Sequence, residues 1–188
     1  MRYMQEGGFQ QNPLMRLTLA LTLSLLVAFW ATNFGMYFSR MDLRPASVVD
    51  YYSGSEEEFR PPRTLASMLE TAHVHLPMIG LVLLLLTHLV IFIPLSRGAK
   101  VAFIATAFVS AALEEGAGWL VRFASPAFAP LKIAGFLGLQ ASLLFLMVAL
   151  AVFLLRAGRR QAAARAAGAE ERRAAALHEE GAVHAALE

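Results

Sequence analysis

Cysteine is absent from the 188 residues, so disulfides, thiolate metal sites and covalent CxxCH haem attachment are excluded within this chain. Charge is nearly as scarce. Only 16% of the residues are Asp, Glu, Lys or Arg and 57% are hydrophobic, where a soluble domain carries about 25% charged and 45–50% apolar residues. A chain this poor in charge reads as membrane-embedded. No aromatic residue interleaves with the arginines of the C-terminal stretch, so the sequence offers nucleic acid no stacking platform. There is no internal repeat.

What the chain does have is long apolar runs. About 20 mainly apolar residues cross a bilayer as a helix, and four segments meet that length: Leu17–Phe38, which has no charged residue, Ala72–Leu95, Val101–Val121, and Leu131–Leu155. The first is too long for the apolar core of a cleavable leader and no small-x-small site follows it, so it reads as a retained helix. The third is interrupted by Glu114 and Glu115. The fourth holds Lys132 at one end and Gln140 inside.

Basic residues in the short flanks set orientation. Arg2 and Arg16 precede the first span, Arg97 and Lys100 join the second and third, and Arg156, Arg159, Arg160 and Arg165 follow the fourth. These flanks belong on the cytoplasmic side, which leaves both termini there. The 39–71 loop, with basic and acidic residues mixed, then lies outside together with the short 124–130 loop. His73 and His75 fall at the outer surface. The chain divides into a polar lead over 1–13, a four-helix membrane domain over 14–156, and an Ala/Arg/Glu-rich tail over 157–188. The tail has high helix propensity; it reads as a cytoplasmic helix fraying at Gly181, with arginines suited to an anionic leaflet. Within the outer loop, Tyr51 and Tyr52 suggest packing against something, with a partner at the outer surface as one candidate, and "TLASMLE" resembles a short interfacial helix ahead of the second span.

The polar residues inside the spans carry the functional argument, because each ionisable group there costs about 2.5–3.5 kcal/mol on insertion scales. The stretch "ETAHVHLPMIGLVLLLLTHLV" contains His73, His75 and His88. At about 100° and 1.5 Å per residue, His73 and His88 are separated by about 60° and roughly 22 Å, whereas His75 and His88 differ by about 140°. Pro77 removes the donor that would reach the His73 carbonyl, so the helix either starts near here or has a distorted first turn. Membrane cytochromes b place haem-ligating histidines at a comparable spacing. With five histidines in all, two of them (His178 and His184) in the tail, two bis-histidine haems cannot be built in one copy. One haem b held by His73 or His75 with a methionine such as Met36 is an arrangement the count allows; haems shared across a symmetric homodimer are another. Imidazoles satisfied by neighbours or headgroups are the plain structural reading. In "ALEEGAGWLVRFASPAFAP", Glu114 and Glu115 lie at a depth comparable with His88, a pairing suited to a proton relay or to accepting protons from a quinol. A structural pair between helices is the rival. Arg122 is expected to snorkel to headgroups, and Gly116 and Gly118 to allow close helix contact.

The combination of "YYSGSEEEFRPPRTLASMLETAHVHLPMIGLVLLLLTHL" with "WLVRFASPAFAPL" resembles a family of small bacterial four-helix membrane proteins often labelled "elongation factor-1 alpha", a label that the hydropathy of this chain contradicts. The resemblance covers roughly residues 14–156. It implies association with c-type or multihaem cytochromes and a part in electron transfer between quinol and periplasmic carriers, with His73, His75, His88, Trp119, Arg122 and the Ser125–Pro126 pair at the matching positions.

Taken together, the expectation is an all-α, multi-pass protein of the bacterial inner membrane. It would serve as a subunit of an electron-transfer complex that binds haem b or quinone through His73, His75 and His88. Glu114 and Glu115 would handle protons, and a cytochrome partner would dock on the 39–71 loop. No metal ion is assigned beyond haem. A non-catalytic scaffold subunit of a respiratory or photosynthetic assembly is the alternative, and a small transporter using HxH and Glu-Glu as ligands is a third reading.

Overall fold

The computed structural model describes residues 12–185, and among these every regular element is helical. Backbone N–H and C=O groups have no water to bond in hydrocarbon, so a spanning chain satisfies them within its own helix. The elements are α1 Pro13–Phe38, α2 Pro45–Ser53, α3 Leu65–Val90, α4 Arg97–Phe123, a 3-10 turn at Pro126–Phe128, and α5 Ala129–Ala185. Four of them, α1, α3, α4 and the first part of α5, are long and apolar enough to cross a membrane. The protein is a multi-pass membrane protein.

The helix starts are written in local chemistry. Asn12 accepts from the Leu14 N–H through Oδ1 at 2.9 Å, Thr64 from Ser67 at 3.2 Å and Ser96 from Ala99 at 3.3 Å. Each cap satisfies one of the N–H groups that a helix start leaves without an internal acceptor. Ser125 does the same for the 3-10 turn. Proline stands first in α1 and in α2, where its missing N–H is not needed.

Three expectations are corrected here. "TLASMLE" is not a separate interfacial helix: α3 begins at Leu65, so His73 and His75 sit roughly 12–15 Å into the helix and not at its mouth. Pro77 lies inside α3, on its exposed side, and the helix runs through it. The tail does not fray at Gly181, since α5 continues to Ala185. Most of the 1–13 lead and the side chains of His178 and His184 lie outside the described residues.

Two compact units are distinguishable. Leu21–Leu150 forms the larger one. Its core gathers Tyr37, Met41, Val48, Tyr52, Met68, Val121, Ala129 and Phe136, with the Tyr37 and Phe136 rings stacked at 3.8 Å between centroids. Leucines such as Leu25, Leu81 and Leu84 are exposed along the spans, where hydrocarbon is their solvent. The smaller unit takes in residues 1–20 and 151–188, and in it the Arg16 guanidinium packs against Gly158.

Close helix contact in the larger unit depends on three small positions. Gly135 of α5 meets the α4 backbone, Gly138 meets Ser110, and Gly118 meets the Tyr52 ring. Small residues at helix interfaces let backbones approach in membranes. Gly116, expected to share this role, faces open space.

Candidate functional site

A cavity of about 370 Å³ lies inside the larger unit, within the size range of small-molecule sites. Every one of the five α-helices contributes to its wall. Helix α1 supplies Asn33, Met36 and Tyr37; α2 supplies Tyr51 and Tyr52; α3 supplies Met68, His75 and Met78. Glu114 and Glu115 come from α4, and Lys132, Phe136 and Gln140 from α5.

Two acid–base pairs stand on that wall. Lys132, from the first turn of α5, donates to the Glu114 carboxylate and to the Glu114 backbone carbonyl at 2.7 Å, with its ammonium 5.8 Å from the Tyr52 ring centroid. Both side chains are buried, at 7% and 14% exposure. Glu114 is therefore electrically compensated without any ligand. The second pair differs. His75 Nδ1 lies 3.6 Å from Glu115 Oε2, and the imidazole is 38% exposed. Glu115 has no lysine or arginine in ion-pair contact among the described residues, so His75 is its nearest basic partner there.

Tyr52 is nearly buried, and that burial pushes its phenol above the ordinary value for tyrosine. It stays a neutral hydrogen-bonding group. Its ring packs inward on Gly118 beside Lys132, so what this tyrosine packs against is the protein's own α4 and α5. Arg122, at the end of α4, donates from Nε to the Arg63 carbonyl at 2.7 Å and ties the segment before α3 to the end of α4.

Two polar atoms on the cavity wall are buried without a protein partner, the donor Arg63 Nε and the acceptor Gln140 Oε1. Buried polar groups are ordinarily hydrogen-bonded. One donor and one acceptor left over in the same cavity is the pattern a bound molecule with complementary groups would satisfy.

The sequence-derived residues divide sharply. His75, Glu114 and Glu115 line the cavity. His73 and His88 do not: both are exposed on α3, and His88 makes an edge contact with Phe92 at 5.6 Å between centroids. The HxH motif is therefore not one ligand set, and the three imidazoles do not converge. The helical angles already separated His75 from His88; what they could not say was which face turned inward.

Lys132, Tyr37, Tyr52, Gln140 and Arg63 were not singled out as site residues. For Lys132 a signal existed. A lysine at the entry of an apolar span, joined by a short turn to a span carrying two glutamates, has a carboxylate within reach.

Haem b fits this lining poorly. Among the described residues only one imidazole, His75, faces the cavity, so a second axial ligand would have to be a thioether such as Met36. Two carboxylates and an ammonium share a wall that a macrocycle would need apolar.

A family model described as a transmembrane helical domain matches residues 42–162, more than half of the chain. The match takes in α2 to α4, the membrane part of α5 and every ionisable group on the cavity wall except Tyr37 and Arg40. No curated protein and no solved structure matches the chain.

Proposed function

The chain belongs to a family of transmembrane helical domains, and from that premise we propose that its cavity is a quinone/quinol site in an inner-membrane electron-transfer subunit. The observation that carries this reading is the juxtaposition of an imidazole–carboxylate pair, His75–Glu115, with an unpartnered buried donor and acceptor, Arg63 Nε and Gln140 Oε1, in one cavity whose wall also carries aromatic and methionine side chains. Oxidation of a bound quinol releases two electrons and two protons. His75, backed by Glu115, takes one proton, and solvent takes the other. The electrons pass to a c-type or multihaem cytochrome docked on the outer 39–71 segment, the partner that the family resemblance implies. Gln140 Oε1 accepts from a ring hydroxyl and Arg63 Nε donates to a ring oxygen, which orients the headgroup. Lys132–Glu114 contributes a fixed, neutral pair and joins α4 to α5.

Titration of the purified full-length protein with a short-tail quinone analogue tests this reading. His75→Leu should weaken binding at least about tenfold, a loss of about 1.4 kcal/mol, while His73→Leu and His88→Leu should stay within about twofold. Equal effects at all three histidines, or no binding by the folded wild type, would reject the quinone site. A reduced-minus-oxidised spectrum with a haem b band would instead favour His75–Met36 ligation.

The scaffold alternative has one observation in its favour. Lys132–Glu114 and Arg122–Arg63 cross-link elements without needing any ligand. On that reading His75→Leu would impair assembly with partner subunits and leave quinone binding undetectable throughout.

A further inference from the structure

A second cavity, of about 410 Å³, opens at the rim of the larger unit where α1 ends and α3 begins. Its chemistry is one-sided. Arg40, Arg60 and Arg63 line it together with the hydroxyls of Tyr51, Thr64 and Ser67, and no acidic residue does. Of the three guanidinium groups only Arg60 is neutralised, by Glu58 at 2.7 Å. Among the described residues no carboxylate lies in ion-pair contact with Arg40 or Arg63.

What those two guanidinium groups do touch is weak. Arg40 reaches the Tyr51 hydroxyl at 3.4 Å and Arg63 reaches the Thr71 hydroxyl at 3.5 Å; both are long for hydrogen bonds. The Arg63 guanidinium also lies over the Tyr51 ring, 5.4 Å from its centroid, a contact that leaves its charge without a carboxylate. The 26-residue helix α3 starts at this groove, adding the positive end of its dipole to the arginine charge. The groove therefore holds uncompensated positive charge, planar donors and hydroxyls in one concave place, the combination that suits a tetrahedral oxyanion.

Depth narrows the ligand. Arg40 follows the last residue of α1 by two positions and Thr64 directly precedes α3, so the groove lies where two spans leave hydrocarbon and the headgroup layer begins. We propose that this arginine groove binds a phosphate group, supplied by the headgroup of an anionic phospholipid or by a free phosphate.

The experiment titrates the purified full-length protein in neutral detergent with three ligands. These are inorganic phosphate, short-chain phosphatidylglycerol, and short-chain phosphatidylcholine as the baseline. Phosphatidylglycerol bound at least about tenfold more tightly than phosphatidylcholine identifies the lipid source; phosphate bound alone identifies the soluble one. Arg63→Gln should weaken either about tenfold, as expected for loss of a charge-assisted donor. Arg40→Gln, at an exposed side chain, should do likewise and serves where Arg63→Gln impairs folding. The proposal is overturned if phosphate gives no binding and phosphatidylglycerol binds no better than phosphatidylcholine, or if binding survives unchanged in both variants.

Discussion

Lys132→Met should destabilise the protein by about 3–5 kcal/mol, the usual cost of removing one partner from a buried ion pair. The lysine side chain is 7% exposed and Glu114 14%, so little solvent reaches the pair. Removing the ammonium abandons both the Glu114 carboxylate and the Glu114 backbone carbonyl, since Lys132 bonds to each. The measurement is unfolding in detergent, by denaturing-surfactant titration followed by far-ultraviolet circular dichroism. The companion variant separates pair loss from packing loss. Glu114→Leu combined with Lys132→Met removes both charges, and replacing a buried pair by apolar residues is often neutral or favourable. Most of the lost stability should return in the double variant. A double variant as unstable as Lys132→Met alone would mean that the pair matters only through shape.

Gly135→Val should be comparably damaging, for a reason unrelated to charge. A Cβ at position 135 would stand 2.5 Å from the Glu114 backbone nitrogen and 2.8 Å from its Cα. Backbone cannot swing aside as a side-chain tip can, so α4 and α5 would have to separate. Overpacking costs about 1–3 kcal/mol and occasionally more; here it also pulls Glu114 away from Lys132. The expected signature is loss of stability together with loss of quinone-analogue binding. Gly80→Ala is the internal control. Nothing lies within 4 Å of a Cβ placed there, so the better helix propensity of alanine should stabilise the protein by up to about 1 kcal/mol. If Gly135→Val behaved like Gly80→Ala, the close α4–α5 contact would not exist in solution.

The contrast between the two glycines is set by helix packing alone. Both sit in apolar helical runs, and nothing in their immediate neighbours distinguishes them. The histidines repeat the lesson. Residues 73, 75 and 88 looked equivalent because each is an imidazole in an apolar segment, yet only His75 reaches the cavity. Glu114 and Glu115 were identifiable as important because two carboxylates in a span need a reason. Their partners were not identifiable, since Lys132 and His75 arrive from different helices. Tyr52 arrives from α2, a nine-residue helix inside what read as an irregular loop.

Run length and composition are local properties, and the bilayer acts on them directly. Four apolar runs therefore determined four spanning helices, and Asn12, Thr64, Ser96 and Ser125 determined where several elements start. Which faces of those helices meet is not local. It follows from how Gly118, Gly135 and Gly138 let neighbours approach, and that approach decided that Lys132 pairs with Glu114, that His75 stands beside Glu115, and that Arg63 and Gln140 keep unspent hydrogen-bonding capacity inside a cavity. Periodicity assigns residues to faces; only packing between helices turns a face inward.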